Sequence, residues 1–384
     1  MPSLLYADIE EDLRATLRGL LADRCAWQDV LARVDTGEPY DEALWKAVAE
    51  DLGLAGLLVP EAFGGAGATA REAAVALEEL GRSVAPIPFL ASAILATTAL
   101  TACGASDARD AALGRLAAGT AVGTLAVPAT MWPTTDFPLS VTGSPDSPDS
   151  PGSPGNGRLL LTGAVTSVLA ADRADLLVVP AVVDGAPRLA LVEGTAPGLT
   201  RARTTTLDAT RPVGTLTLDG VPAVVIADSG TAPAALRAAL TAGAALLASE
   251  QLGVAERALE EAIGYLRTRH QFGRPIGSYQ ALRHRAADLW SDIAASRATA
   301  RYAAAALADD SPDTPVAAAL AQSYCADVAV HAAEDCVQLH GGIGFTWEHP
   351  AHLYVKRAMS SALLLGTADR HRAALAELVN LPPA

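Results

Sequence analysis

Residues 230–384 constrain the fold most. Thr231 followed by Pro233 reads as a helix N-cap with a first-turn proline. From there Leu236, Leu240, Leu247, Leu259, Ile263 and Leu266 recur on one helical face to about residue 269. Leu282, Ala286, Leu289 and Ile293 repeat the pattern in a second segment, a third opens at Thr314-Pro315, and a fourth runs from about 350 to 378. Long apolar-faced helices joined by short connections bury those faces against one another, so the spacing predicts an antiparallel four-helix bundle.

The other regions read differently. Residues 1–120 are helical: EEDLRATLRGLLADR, DEALWKAVAEDLGLAGLLV and TAREAAVALEELGRSV carry helical spacing, and the last is predicted to stop at Gly81. A glycine-rich loop, PEAFGGAG, joins two of them. In residues 121–229, GTLAVPA, RLLLTG, ADLLVVPAVV, RLALVEG and VGTLTLDG are short β-rich runs between Gly, Pro and Asp turns. Within this β domain, SPDSPDSPGSPGNG (144–157) holds no residue able to bury apolar surface, so a disordered surface loop is expected. The expected domains are therefore 1–120 (helical), 121–229 (β) and 230–384 (bundle), an α+β multidomain chain.

A formal charge of −15 lacks the basic footprint that a nucleic-acid backbone requires. No uninterrupted apolar run approaches the length of a membrane span. The first residues carry acids early, with no basic region ahead of an apolar core, so no signal peptide is expected. Four cysteines (Cys25, Cys103, Cys325, Cys336) form no C-x-x-C pair, and reduced buried thiols in a cytoplasmic protein are the expectation.

Two stretches carry chemistry. RTRHQFGRPIGSYQALRHRAADL (267–289) ends one helix, turns at Gly273 and Pro275, and opens another at Ser278, the predicted cap. Its arginines are either solvated cations on a helix terminus or a diphosphate-binding corner. HGGIGFTWEHP (340–350) is a phosphate cradle or a tight helix–helix turn; His340 and His349 lack the third partner a metal site would want, so no metal is expected.

Together, TRHQFGRPIGSYQALRHRAADL and QLHGGIGFTWEHPAHLYVKRA resemble the two signature regions of the acyl-CoA dehydrogenase family. LGLAGLLVPEAFGGAGATAREAAVALEELGR resembles that family's first domain and DATRPVGTLTLDGVPA the close of its β domain. The resemblance spans nearly the whole chain. It implies an N-terminal α domain, a central β-barrel-like domain and a C-terminal four-helix bundle. It also implies FAD held between β domain and bundle, completed by a neighbouring subunit, and oxidation of an acyl-CoA or acyl-carrier thioester to the 2,3-enoyl product. The assembly would be a homo-oligomer or a heterotetramer with a paralogous subunit. By position, Arg269 would grip the FAD diphosphate, Phe272 pack beside it, and Tyr279 and Gln280 line the adenosine end. Gln338, Leu339, His340, Gly341 and Gly342 would hold the adenine and ribose for a partner subunit. Gly366 and Thr367 match the family's Gly-Thr pair near the flavin.

The chain departs from the pattern where chemistry is expected, and so reads as a divergent, actinobacterial-type member lacking the usual catalytic Glu. The residue before that Gly-Thr is Leu365 instead of a base, and the family's alternative base position falls on Gly243. Ala244 stands where a substrate-placing arginine is expected. VPATMWPTTD (127–136) stands where the family has a flavin-contacting strand, and Ser167-Val168-Leu169 replaces a Trp-x-Thr that stacks on flavin; Trp132 is either a substitute for that aromatic surface or a surface or core filler. Glu250 lies two helical turns from Gly243 and is the remaining candidate base, beside the helix-end acids Glu348 and Asp369. The resemblance thus leaves three expectations open: an oxidoreductase with an unrecognised base, a non-catalytic subunit completing a partner's FAD site, or a flavin-less member with a scaffold or non-redox role.

Overall fold

The computed structural model describes residues 4–34, 36–146 and 157–381; most of the Ser/Pro/Asp/Gly-rich segment expected to be disordered lies outside them. In chain order the elements are α1 (Asp8–Arg24), α2 (Trp27–Val34), α3 (Glu42–Lys46), α4 (Ala70–Arg82), α5 (Thr97–Thr101) and α6 (Asp107–Ala117). Then come β1 (Gly123–Leu125), β2 (Val141–Pro145), β3 (Arg158–Leu169), β4 (Leu176–Val183), β5 (Ala186–Glu193), β6 (Leu199–Thr204) and β7 (Val213–Ala227). The chain closes with α7 (Ala232–Thr268), β8 (His270–Gln271), β9 (Arg274–Pro275), α8 (Gln280–Ala308), α9 (Thr314–His340), α10 (Ala351–Leu363) and α11 (Ala368–Leu378). Two compact units form: residues 1–39, 70–86 and 244–384 make one, and residues 40–69 and 87–243 the other.

The first unit is the helical bundle. Its core is built largely of alanine, including Ala248, Ala255, Ala258, Ala300, Ala303, Ala321, Ala329 and Ala332, with Leu252, Leu289, Ile293 and Tyr354 as larger members. Small side chains let helix axes approach closely, and glycine takes this furthest. A Cβ on Gly253 of α7 would lie 1.9 Å from the Glu78 carbonyl oxygen of α4, and one on Gly81 would lie 2.3 Å from that of Glu250. α4 ends at Arg82, one residue past the stop expected at Gly81, and Gly81 also serves as a packing glycine against α7. The single helix expected over 350–378 is two, α10 and α11, because Leu365 (φ +55°) and Gly366 (φ +102°) leave the helical region between them. α7 has the length and apolarity of a membrane-crossing helix, yet its apolar window is 72% buried within the fold.

The second unit is built around a barrel. β4 pairs with β2, β2 with β3, β3 with β7, β7 with β5, and β5 again with β4, so the ladder closes on itself. Closure leaves the ring without a free edge. β1 adds to β4 in parallel, and β6 adds to β7 outside the ring. Val141, Leu161, Val165, Leu177, Val179, Val192 and Leu216 fill the interior. β2 and β6 escaped the sequence reading. β2 runs into the low-complexity stretch, so that Ser144 and Pro145, expected in a disordered loop, pair with β3, and β6 (LTRART) exposes most of its side chains; neither shows an apolar run. All four cysteines are buried, and none forms a disulfide.

Candidate functional site

The first signature stretch folds into a compact corner after α7. β8 and β9 pair antiparallel, and the two residues between them, Phe272 (φ +51°) and Gly273 (φ +78°), are both left-handed. That is the backbone of a two-residue hairpin of the I′ kind, which favours Asn-Gly and penalises a phenylalanine by about 1–2 kcal/mol. Phe272 is also 92% exposed, so packing within the chain does not offset the strain. Arg269 closes the hairpin through its backbone, its carbonyl accepting from Ile276 N at 2.8 Å. Its exposed guanidinium makes no hydrogen bond or ion pair among the described residues. Tyr279, at the cap position of α8, donates its hydroxyl to Gln271 O at 3.3 Å and carries the Arg274 guanidinium 3.9 Å over its ring. Ser278, expected as that cap, sits one residue earlier with an unpartnered hydroxyl. Gln280 is exposed on the first turn of α8.

The second signature stretch ends α9 beside this corner. Leu339 is buried with Ala262 and Leu266 of α7, against Ile276 and Leu282. His340 is buried too, its ring 4.6 Å from Tyr265 and 4.0 Å from His349. Its Nδ1 donates to the Cys336 carbonyl at 2.7 Å, which assigns the Nδ1–H tautomer. Arg285 grips the buried Asp335 carboxylate with two N–H groups, tying α8 to α9. Leu339 and His340 thus face inward and fix the helix ends, while Gln338, Gly341 and Gly342 face outward. A Cβ on either glycine would meet nothing within 4 Å, so the approach to this backbone is open. Among the described residues no three His, Cys, Asp or Glu side chains group so as to hold a metal ion.

Thr367 is not gathered here. The end of α10 and the turn at 364–367 are held by three side chains on buried carbonyls: Gln251 Nε2 donates to Ser361 O (3.2 Å), Gln322 Nε2 to Leu364 O (3.3 Å) and His371 Nε2 to Leu365 O (2.8 Å). Gln322 lies roughly 24 Å along α9 from Gln338 at the α-helical rise. The outward residues at 269–280 and 338–342 therefore belong to one end of the bundle, and Gly366-Thr367 to a separate place on it. Leu365 is 1% exposed at the centre of the gripped turn.

The candidate base is already engaged. Glu250 is buried, with Arg357 Nη1 3.6 Å from its Oε1 and the Ser361 hydroxyl donating to the same oxygen at 3.3 Å. Arg357 is buried as well and reaches the Ala85 carbonyl at 3.4 Å. Glu348 is exposed, and Asp369 is an exposed partner of Arg372 at 2.7 Å. Gly243 and Ala244 are buried inside α7 and carry no acid or base. Arg357, Gln251, Gln322 and His371 went unnoticed in the sequence, since an isolated polar residue on an apolar helix carries no local signal of its partners.

In the second unit, the two stretches compared with flavin-contacting strands lie together. Ala129 N donates to Ser167 O at 2.8 Å, and the Thr124 hydroxyl donates to Leu169 O at 2.6 Å. Ser167 is left-handed (φ +57°). Trp132 is half-buried, its indole N–H donating to the Thr134 hydroxyl at 2.6 Å.

Comparison with known proteins bears on this arrangement. Residues 7–120 match the acyl-CoA dehydrogenase N-terminal domain, and residues 233–379 match the acyl-CoA dehydrogenase C-terminal domain. The chain is 36% identical over 356 residues to acyl-CoA dehydrogenase IpdE2 of Mycobacterium tuberculosis, covering 92% of each. Among solved structures it resembles a variant of the Tcur3481-Tcur3483 steroid ACAD (32% identity, TM-score 0.84, 97% of this chain and 98% of that one). It also resembles the ChsE4-ChsE5 complex from Mycobacterium tuberculosis (27% identity, TM-score 0.85, all of both chains).

Proposed function

Because this chain belongs to the acyl-CoA dehydrogenase family, we propose that it serves FAD-dependent α,β-dehydrogenation of an acyl-CoA or acyl-carrier thioester in the cytoplasm. It does so as the cofactor-holding subunit of an assembly whose catalytic base comes from a paralogous chain. The observation that carries this reading is the contrast between two places on the bundle. The end bearing Arg269, Phe272, Gly341 and Gly342 presents its groups outward, whereas the base position is filled by the buried Leu365.

The outward groups fit FAD. Arg269 offers an unspent fork of N–H donors suited to a diphosphate. Gly341 and Gly342 let backbone come against the adenine and ribose, Phe272 offers a free ring face beside the diphosphate, and Tyr279 and Gln280 line the adenosine end. Leu339 and His340 support that wall from behind. Gly366-Thr367 would sit near the flavin of another site, which agrees with its distance along α9 from Gln338. When bound, FAD accepts the hydride lost from the β-carbon of the thioester. The α-proton must go to a base, a contribution of about 10²–10⁴-fold, and this chain offers none at either family position. Glu250, the remaining acid, is held by Arg357 and Ser361. The names of the two structural relatives pair two components in one assembly, which supports a heteromeric arrangement.

The test is flavin absorbance near 450 nm on the chain purified alone and after co-expression with a paralogous chain that carries the family Glu. Colourless alone, and yellow and active in the pair, is the expected result. A yellow, active homo-oligomer would overturn it in favour of a self-sufficient enzyme, and Glu250→Gln would then be the first variant to assay. A chain that stays colourless with every paralogue would overturn it in favour of a scaffold or non-redox role.

A further inference from the structure

The bundle unit contains a cavity of about 430 Å³ where the end of α1 and the start of α2 meet α4, α7 and α10. Its floor is Leu21, Cys25 and Tyr354, all buried, and Trp27 stands half-buried at its rim. Arg18, Arg82 and Arg257 face it, against a single lining carboxylate, Glu79. Besides Glu79, three carboxylates outside the lining, Glu256, Glu260 and Glu261, balance Arg82 and Arg257. Arg82 is fully engaged, with Glu79, Glu256 and Glu260 at 3.8, 3.1 and 2.6 Å. Arg18 spends Nε and Nη2 on Glu79 at 2.8 and 2.6 Å, leaving Nη1 without a partner among the described residues. Arg257 meets Glu261 through Nη2 at 2.5 Å, hydrogen-bonds the Tyr354 hydroxyl, and stands 3.7 Å from Glu260 through Nη1.

We propose that this cavity binds a small aromatic carboxylate. An apolar floor with an aromatic rim and a few convergent donors is the usual make-up of a small-ligand site, and the volume lies in the usual range. Guanidinium groups serve such a ligand twice, forking onto the carboxylate and stacking on the ring. The ring lies between Trp27 and the Leu21–Tyr354 floor, and the carboxylate takes Arg18 Nη1. Cys25 lies beneath it, and none of the other three cysteines lines this cavity, so its thiol reports occupancy.

The experiment titrates the full chain with 2-naphthoate and, separately, with its neutral isostere 2-naphthamide. Calorimetry reads binding, and peptide mass spectrometry after iodoacetamide reads alkylation of Cys25. The expected result is one-to-one binding of naphthoate, at least tenfold weaker binding of the amide, and slower alkylation of Cys25 with naphthoate present. Arg18→Gln should weaken naphthoate at least tenfold without changing the thermal transition, because Arg14 and Arg82 still face Glu79. Trp27→Ala should weaken both ligands. Equal affinity for acid and amide would overturn the proposal, as would binding unchanged in Arg18→Gln, or naphthoate binding that leaves Cys25 alkylation unchanged. No detectable naphthoate binding would overturn it too.

Discussion

Arg357 places Nη1 3.6 Å from Glu250 Oε1, with neither side chain more than 3% exposed. Removing one member of such a buried pair strands the other's charge and costs about 3–5 kcal/mol, whereas replacing both by apolar residues is often neutral. Arg357→Leu should therefore lower the stability of the bundle by about that amount, read by denaturant unfolding. Adding Glu250→Leu should recover most of it. A double variant as unstable as the single would show that the two residues are not coupled, and would return Glu250 to consideration as a base.

The crossing of α4 and α7 makes a second prediction, one that separates three glycines of similar appearance in sequence. In a helix interior, alanine is favoured over glycine by about 0.5–1 kcal/mol. A methyl group added to Gly264 of α7 would meet nothing within 4 Å, so Gly264→Ala should gain roughly that increment. At Gly253 the same methyl lies 1.9 Å from the Glu78 carbonyl, and at Gly81 it lies 2.3 Å from that of Glu250. Overpacking against backbone costs about 1–3 kcal/mol or more, and it outweighs propensity. Thermal melts should rise for Gly264→Ala and fall for Gly253→Ala and Gly81→Ala. A rise in all three would mean that the helices are not in contact there.

These two cases show which kinds of information the sequence carries. Helical spacing marked α7, α8 and the start of α9 well, because each repeats an apolar face over many turns. The role of Gly81 was hidden, since a packing glycine and a stopping glycine look alike until the partner helix is known. The break between α10 and α11 was hidden for a related reason: the carbonyls of Ser361, Leu364 and Leu365 are bound by Gln251, Gln322 and His371, which come from α7, α9 and α11. The two compact units each join non-contiguous stretches, which a linear reading cannot reveal. At the candidate site, the two motifs fall together at one end of the bundle. Their inward or outward facing, as with Leu339 against Gln338, depended on the packing of Leu266 and Ile276.

Acid should weaken the fold through His352. Neither ring nitrogen has a partner, and burial, then the nearby charges of Lys356 and His349, lowers its pKa from 6.5 to about 4. An unfolded chain takes up the proton near pH 6.5 while the folded chain resists until about pH 4. The stability is thus fully present above pH 6.5 and drains as pH falls toward 4. His349 and His371 are lowered in the same direction, chiefly by burial, so they add to the slope. His352→Phe, which keeps a ring beside Trp347, should flatten the decline in melting temperature between pH 7.5 and 5 relative to the parent. Parallel declines in the two proteins would show that His352 does not titrate against the fold.

Phe272 joins backbone strain to an unused aromatic surface, and glycine separates the two. Phe272→Gly keeps the hairpin and relieves a left-handed phenylalanine, so the melting transition of the isolated chain should hold or rise, by about 1 kcal/mol at most. It also deletes a ring that touches solvent over 92% of its surface. If that ring packs beside a diphosphate in the assembled protein, the variant pair should retain less flavin after gel filtration, at unchanged subunit stoichiometry. Flavin retention equal to the parent would remove Phe272 from the cofactor wall and leave its strain without a role. A lower melting temperature of the isolated chain would place the ring's contribution inside the fold instead.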